Sequence, residues 1–85
     1  MQKINHRIRD EQGLHARVAG VLVKEAAQHS CAIHLGTREK MVDAKKILGV
    51  MCLSLKSGQQ MIMSFDGEDE EESAVFFSRF LTENI

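Results

Sequence analysis

An α+β fold, with an antiparallel sheet covered by helices on one face and by water on the other, is what this sequence of 85 residues predicts. Three observations carry that expectation. Apolar and polar residues alternate near the start of the chain and again from Met61 to Phe65, the period of strands with one buried face. Apolar residues recur at helical spacing from Ala16 onward and from Asp69 onward. No proline interrupts these segments, and turn signals such as Asp66-Gly67 separate them.

In the first strand Ile4, His6 and Ile8 alternate with Lys3, Asn5, Arg7 and Arg9, and Asp10-Glu11-Gln12-Gly13 ends it. From Ala16 to about His29 the residues Ala19, Leu22, Val23 and Ala26 form one apolar stripe, with Lys24, Glu25 and Gln28 turned outward, which predicts the first helix. His29, near its C-terminus, occupies a favourable dipole position. Ile33 and Leu35 predict the inward side of a second strand, Gly36-Thr37-Arg38-Glu39 a connection, and Met41 to Ala44 a short third strand, the two forming a hairpin. Ile47 to Leu53 is too short and too uniformly apolar for periodicity to assign. After a turn at Gly58, Met61, Met63 and Phe65 alternate with Ile62 and Ser64 as a fourth strand. From Asp69 to about Glu83 the residues Ala74, Phe77 and Leu81, flanked by Phe76 and Phe80, give the apolar face of a last helix. The acidic run Glu68 to Glu72 reads as its solvated start, complementing the helix dipole.

A chain this short supports one core, so residues 1–85 are expected to form a single domain. The net charge is −1, there is no Trp or Tyr, and three of the four Phe lie in the last helical pattern. That composition excludes a nucleic-acid binder built on phosphate neutralisation or base stacking. No apolar run has the length of a membrane span or a signal peptide, which predicts a cytoplasmic chain without membrane insertion. Cys31 and Cys52 read as reduced, buried thiols. His6, His29 and His34 show no ligand spacing, so no metal is expected.

The chemistry is concentrated in Gly13-Leu14-His15-Ala16-Arg17. A helical pattern begins just after His15, so the unpaired N–H groups of the first turn and the positive end of the dipole face the imidazole, a setting that favours an anion. Ala16 and Arg17 offer backbone donors. The Arg17 guanidinium suits a phosphate oxygen and the charge-spread transition state of phosphoryl transfer. On these five residues alone, a capping loop with an incidental histidine is the plainer alternative.

The same segment resembles the active-site segment of the HPr family, the histidine-containing phosphocarriers of the bacterial phosphoenolpyruvate-dependent sugar phosphotransferase system. Ala44-Lys45-Lys46-Ile47-Leu48-Gly49-Val50-Met51-Cys52-Leu53 resembles that family's regulatory helix, and Gly67-Glu68-Asp69-Glu70-Glu71-Glu72 the turn and acidic start of its last helix. The likeness spans nearly the whole chain in matching order. It assigns Ile47 to Leu53 to a short helix and completes an HPr-like open-faced sandwich, β-α-β-β-α-β-α, with four antiparallel strands and three helices on one face. It implies a carrier and not an enzyme: His15, modified at Nδ1, accepts a phosphoryl group from phospho-Enzyme I and passes it to sugar-specific permease components. His15 and Arg17 are the implied catalytic residues, Ala16 and Arg17 bind the phosphate, and no cofactor is needed. Gly20, Val21 and Lys24 with Ile47, Leu48 and Met51 look like the partner-binding surface, an apolar centre with a basic rim. A monomer is expected.

Two residues depart from the family pattern. Val18 replaces the proline that usually follows this motif, which restores a backbone donor in the first helical turn and also loosens that turn, so the change either adds a phosphate contact or blurs the geometry around His15. Lys46 stands where many members from low-GC Gram-positive bacteria carry a regulatory serine, and lysine accepts no phosphate. The rival readings are a regulatory binding module on the same fold, of the catabolite-repression type, and a carrier serving a nitrogen or dihydroxyacetone branch. The first keeps the serine and lacks the histidine, the reverse of this sequence.

Overall fold

In the computed structural model, which describes residues 1–85, the alternating segments form one sheet of four strands: β1 (Gln2–Arg7), β2 (Ala32–Gly36), β3 (Met41–Asp43) and β4 (Gln60–Asp66). The helices are α1 (Ala16–Ala26), α2 (Ile47–Cys52) and α3 (Glu70–Asn84). The sheet order is β1-β4-β2-β3 with every neighbouring pair antiparallel, so the expected architecture and the β2–β3 hairpin are both present.

Register decides which side chains share a face. Met63 of β4 sits opposite Ile4 of β1 and Leu35 of β2, and Phe65 sits opposite Ile33. Met61, Met63 and Phe65 alternate inward with Ile33 and Leu35, all fully buried, and meet Ala19, Leu22 and Ala26 of α1 and Phe77 and Leu81 of α3 in one cluster of 19 apolar residues. The Phe65 and Phe77 rings stack with centroids 5.9 Å apart, tying sheet to helix. Lys3, Asn5, Arg7 and His34 remain on the wet face.

Tertiary contacts redraw several boundaries. β1 stops at Arg7 instead of Arg9, because the Ile8 N–H bonds to Gln59 O outside β4 and the Arg9 and Asp10 amides turn to Ile85 O, at 2.6 and 3.0 Å. Ile8 is buried all the same. α1 ends at Ala26, short of His29: the Gln28 and His29 amides fall back on the carbonyls of Glu25 and Ala26, three residues behind. The Asp69 carboxylate then accepts the Ser30 and Cys31 N–H groups at 2.9 and 2.8 Å. Asp69 is therefore no mere solvated acid. The Ser30 N–H, with Cys31 behind it, holds its carboxyl below the usual range.

His29 likewise acts as a bridge and not as a dipole partner inside a helix. Its Nδ1 lies 2.6 Å from Oγ of the buried Ser73, and its ring packs against Phe76 and Phe77 at centroid distances of 5.4 Å. Cys31 is buried as expected, and burial pushes its thiol up. Cys52 is exposed, contrary to expectation, because α2 has only six residues and turns Val50 alone into the core. No helix is long and apolar enough to cross a membrane.

Candidate functional site

The site is built by a turn that ends β1 and delivers the chain to α1. The Gly13 N–H donates to Asp10 O at 2.9 Å, while the Gln12 N–H donates to Asp10 Oδ1 at 2.9 Å. Gly13 has a φ of +66°, and a Cβ there would stand 2.3 Å from Leu55 O and 2.8 Å from Lys56 Cα. Only glycine combines that φ with that approach. The closeness lets the Leu14 N–H donate to Leu55 O at 3.0 Å, and the Leu14 side chain is buried. Leu14 is thus the anchor, and the next residue, His15, is placed at the helix start.

His15 is the N-cap of α1 in extended conformation, with φ −81° and ψ 167°. Its carbonyl accepts the Ala19 N–H at 2.9 Å, so the amides of Ala16, Arg17 and Val18 have no carbonyl one turn behind them. The imidazole makes no capping hydrogen bond, which leaves these donors open to an anion. The ring is 19% exposed, and its Nε2 lies 3.8 Å from Asp10 Oδ2. Nδ1 carries no hydrogen bond from the protein. Sheltered on one edge and free at the other nitrogen, the ring is held but not occupied.

Ala16, the first helical residue, is exposed and has no side chain to obstruct its N–H. Arg17 is exposed without an ion-pair partner in the chain, so its guanidinium can close over an anion at His15. Val18 is 3% exposed and part of the core cluster. Its side chain fastens the first turn to the core, and its N–H, which a proline would lack, stays unpaired beside those of Ala16 and Arg17.

The candidate contact residues lie where a partner could reach them. α1 and α2 pack against each other, and Val21 is 46%, Ile47 40%, Leu48 78% and Met51 39% exposed. Gly20 and Lys24 are exposed on α1 as well. Four large apolar side chains left in water on two adjoining helices of a small chain are unusual for a surface with no partner. Lys46 is exposed as the N-cap of α2, with φ −121°, ψ 110° and no capping side-chain bond.

The residues singled out in the sequence lie at the start of α1, along α1 and on the adjoining α2, and two residues that the pattern does not mark belong to the same site. Asp10, which the sequence marks only as the end of a strand, turns its carboxylate toward His15. Leu55 carried no signal, because its role lies in its carbonyl and any residue has one.

A family model described as the PTS HPr component phosphorylation site matches residues 2–83. The phosphocarrier protein HPr of Lysinibacillus sphaericus is 43% identical over 74 residues, covering 87% of this chain and 84% of that protein. The HPr-like protein Crh of Bacillus subtilis is 32% identical over 84 residues, 99% of this chain and 96% of that protein. The crystal structure of HPr-C-His from Thermoanaerobacter tengcongensis superposes with a TM-score of 0.90 at 33% identity, covering 96% of this chain and 92% of the other.

Proposed function

Since the chain belongs to the HPr family of phosphocarrier proteins, we propose that it takes a phosphoryl group from phospho-Enzyme I onto Nδ1 of His15 and passes it to sugar-specific permease components. The observation that carries this reading is an N-cap histidine whose Nδ1 is free, beside three open amides of the first helical turn. The Nδ1 lone pair forms the new N–P bond as the P–N bond of the donor phosphohistidine breaks, and the donor nitrogen keeps that electron pair. The Ala16 and Arg17 amides hold the phosphoryl oxygens, and the Arg17 guanidinium spreads the charge of the loose transition state. In this chain the Val18 amide adds a donor that proline would remove.

Little else is required, because positioning and electrostatics supply most of the catalysis in phosphoryl transfer and the partner brings the rest. The chain is a carrier and not itself the enzyme. Gly20, Val21, Lys24, Ile47, Leu48 and Met51 form the docking face, with an apolar centre for contact and lysine at its rim for acidic partners. The chain works as a cytoplasmic monomer. The 32% identity to the Crh protein favours a second reading, a regulatory docking module. His15 and Lys46 speak for transfer instead: the acceptor is present, and the position of the regulatory serine cannot be phosphorylated.

The test is intact mass after incubation with phosphoenolpyruvate and Enzyme I, for wild type and His15→Ala. One acid-labile phosphate on wild type and none on the variant is the expected result. No adduct with a cognate Enzyme I overturns the carrier reading in favour of the docking module.

A further inference from the structure

We infer that Asp10 is a positioning residue for His15, holding the imidazole proton on Nε2 so that Nδ1 keeps the lone pair that attacks phosphorus; this rests on the reading of His15 as the phosphoryl acceptor. Three bonds fix Asp10 before its carboxylate meets the ring. Its N–H donates to Ile85 O at 3.0 Å, its carbonyl accepts the Gly13 N–H at 2.9 Å, and its Oδ1 accepts the Gln12 N–H at 2.9 Å. That leaves Oδ2 as the free oxygen, and it faces His15 Nε2 at 3.8 Å. The His15 backbone is held in the same turn, its amide N–H donating to Gly13 O at 3.0 Å. Both partners of the pair thus belong to one hydrogen-bonded turn, residues 10–15, and both are partly shielded, with side chains 33% and 19% exposed.

A neutral imidazole has one N–H and one lone pair, and the group facing either nitrogen decides which is which. A carboxylate only accepts, so Oδ2 selects the Nε2–H tautomer. When Nδ1 attacks, the N–P bond forms, the donor's P–N bond breaks, and no proton moves. The phosphorylated ring then carries its proton and a positive charge at Nε2, next to the carboxylate. A contact at 3.8 Å in the free carrier tightens to a hydrogen bond once that charge develops. Arg9, the neighbouring cation, is turned away to Thr82 O at 2.6 Å and leaves the carboxylate to His15.

Asp10→Asn is the informative variant, because the amide keeps an oxygen for the Gln12 N–H and turns an NH₂ donor toward Nε2. Ring ¹⁵N shifts of unphosphorylated His15 read the tautomer, and single-turnover transfer from phospho-Enzyme I reads the consequence. The expected result is a shift of population from Nε2–H toward Nδ1–H, a transfer rate lowered about tenfold, the range of lost orienting partners, an unchanged KM and recovery in Asp10→Glu. An unaltered tautomer ratio with a rate within about twofold of wild type overturns the assignment while the carrier reading stands. A wild-type chain that takes no phosphate overturns both. Loss of transfer with an unaltered tautomer marks Asp10 as a structural residue only.

Discussion

The turn before His15 is the feature most open to a quantitative test, and Gly13→Ala is the perturbation. A φ of +66° costs an L-residue about 1–2 kcal/mol. The added Cβ would stand 2.3 Å from Leu55 O and 2.8 Å from Lys56 Cα, both backbone atoms that no rotamer change can move aside. Separating the two loops breaks the 3.0 Å bond from the Leu14 N–H to Leu55 O, at about 1 kcal/mol. A smaller gain of about 0.5 kcal/mol from restricting the unfolded chain offsets part of this. The sum is a destabilisation of about 1.5–2.5 kcal/mol, a large share of the roughly 4–13 kcal/mol expected for a chain of this size. Gly58→Ala is the control: its φ is +89°, but nothing lies within 4 Å of the new Cβ, so the conformational cost acts alone. With no Trp or Tyr in the chain, urea unfolding is followed by far-UV circular dichroism. Gly13→Ala should lose at least about 1 kcal/mol more than Gly58→Ala and should transfer phosphate more slowly at saturating Enzyme I, since His15 moves with the loop. Equal losses in the two variants would show that the close approach to Leu55 does not hold the site in place.

Two further predictions address docking and acid stability. Leu48 is 78% exposed, so Leu48→Ser should change stability by less than about 0.5 kcal/mol yet raise the KM for Enzyme I several-fold, as loss of an apolar interface anchor does; an unchanged KM would remove α2 from the docking face. Asp69 titrates below its unfolded value of about 3.9, so the stability it lends is full above that pH and disappears as pH falls through the folded value. His6, whose ring is held below the ordinary histidine range by burial, lowers stability earlier, as pH falls below about 6.5 and the unfolded chain takes up the proton more readily. The urea midpoint of wild type should therefore decline in two stages on acidification, and Asp69→Asn should start lower at neutral pH and show a smaller second stage, the remainder belonging to Glu70, which its bonds to the N-terminal amine and the Gly67 N–H also hold below the usual range. Parallel curves for the two proteins between pH 2 and 5 would refute the role given to Asp69.

What the sequence determined by itself was whatever a few adjacent residues encode. Alternation assigned Ile33, Leu35, Met61, Met63 and Phe65 to the buried face of strands, because a strand sends successive side chains to opposite sides whatever it pairs with. The motif from Gly13 to Arg17 was equally local in its chemistry, a histidine at the cap with open amides behind it, whereas the need for glycine at 13 and the anchoring of Leu14 come from the distant Leu55 loop. Only the tertiary structure decided what depends on segments arriving from a distance. It placed β4 between β1 and β2, and it ended α1 at Ala26 by giving the Ser30 and Cys31 amides to Asp69, thirty-eight and more residues away. It left Cys52 in water, and it turned one carboxylate oxygen of Asp10 toward His15. Periodicity reports which face of an element is apolar, but the partner of a carboxylate or a carbonyl is set by where two loops meet, and composition carries no record of that meeting.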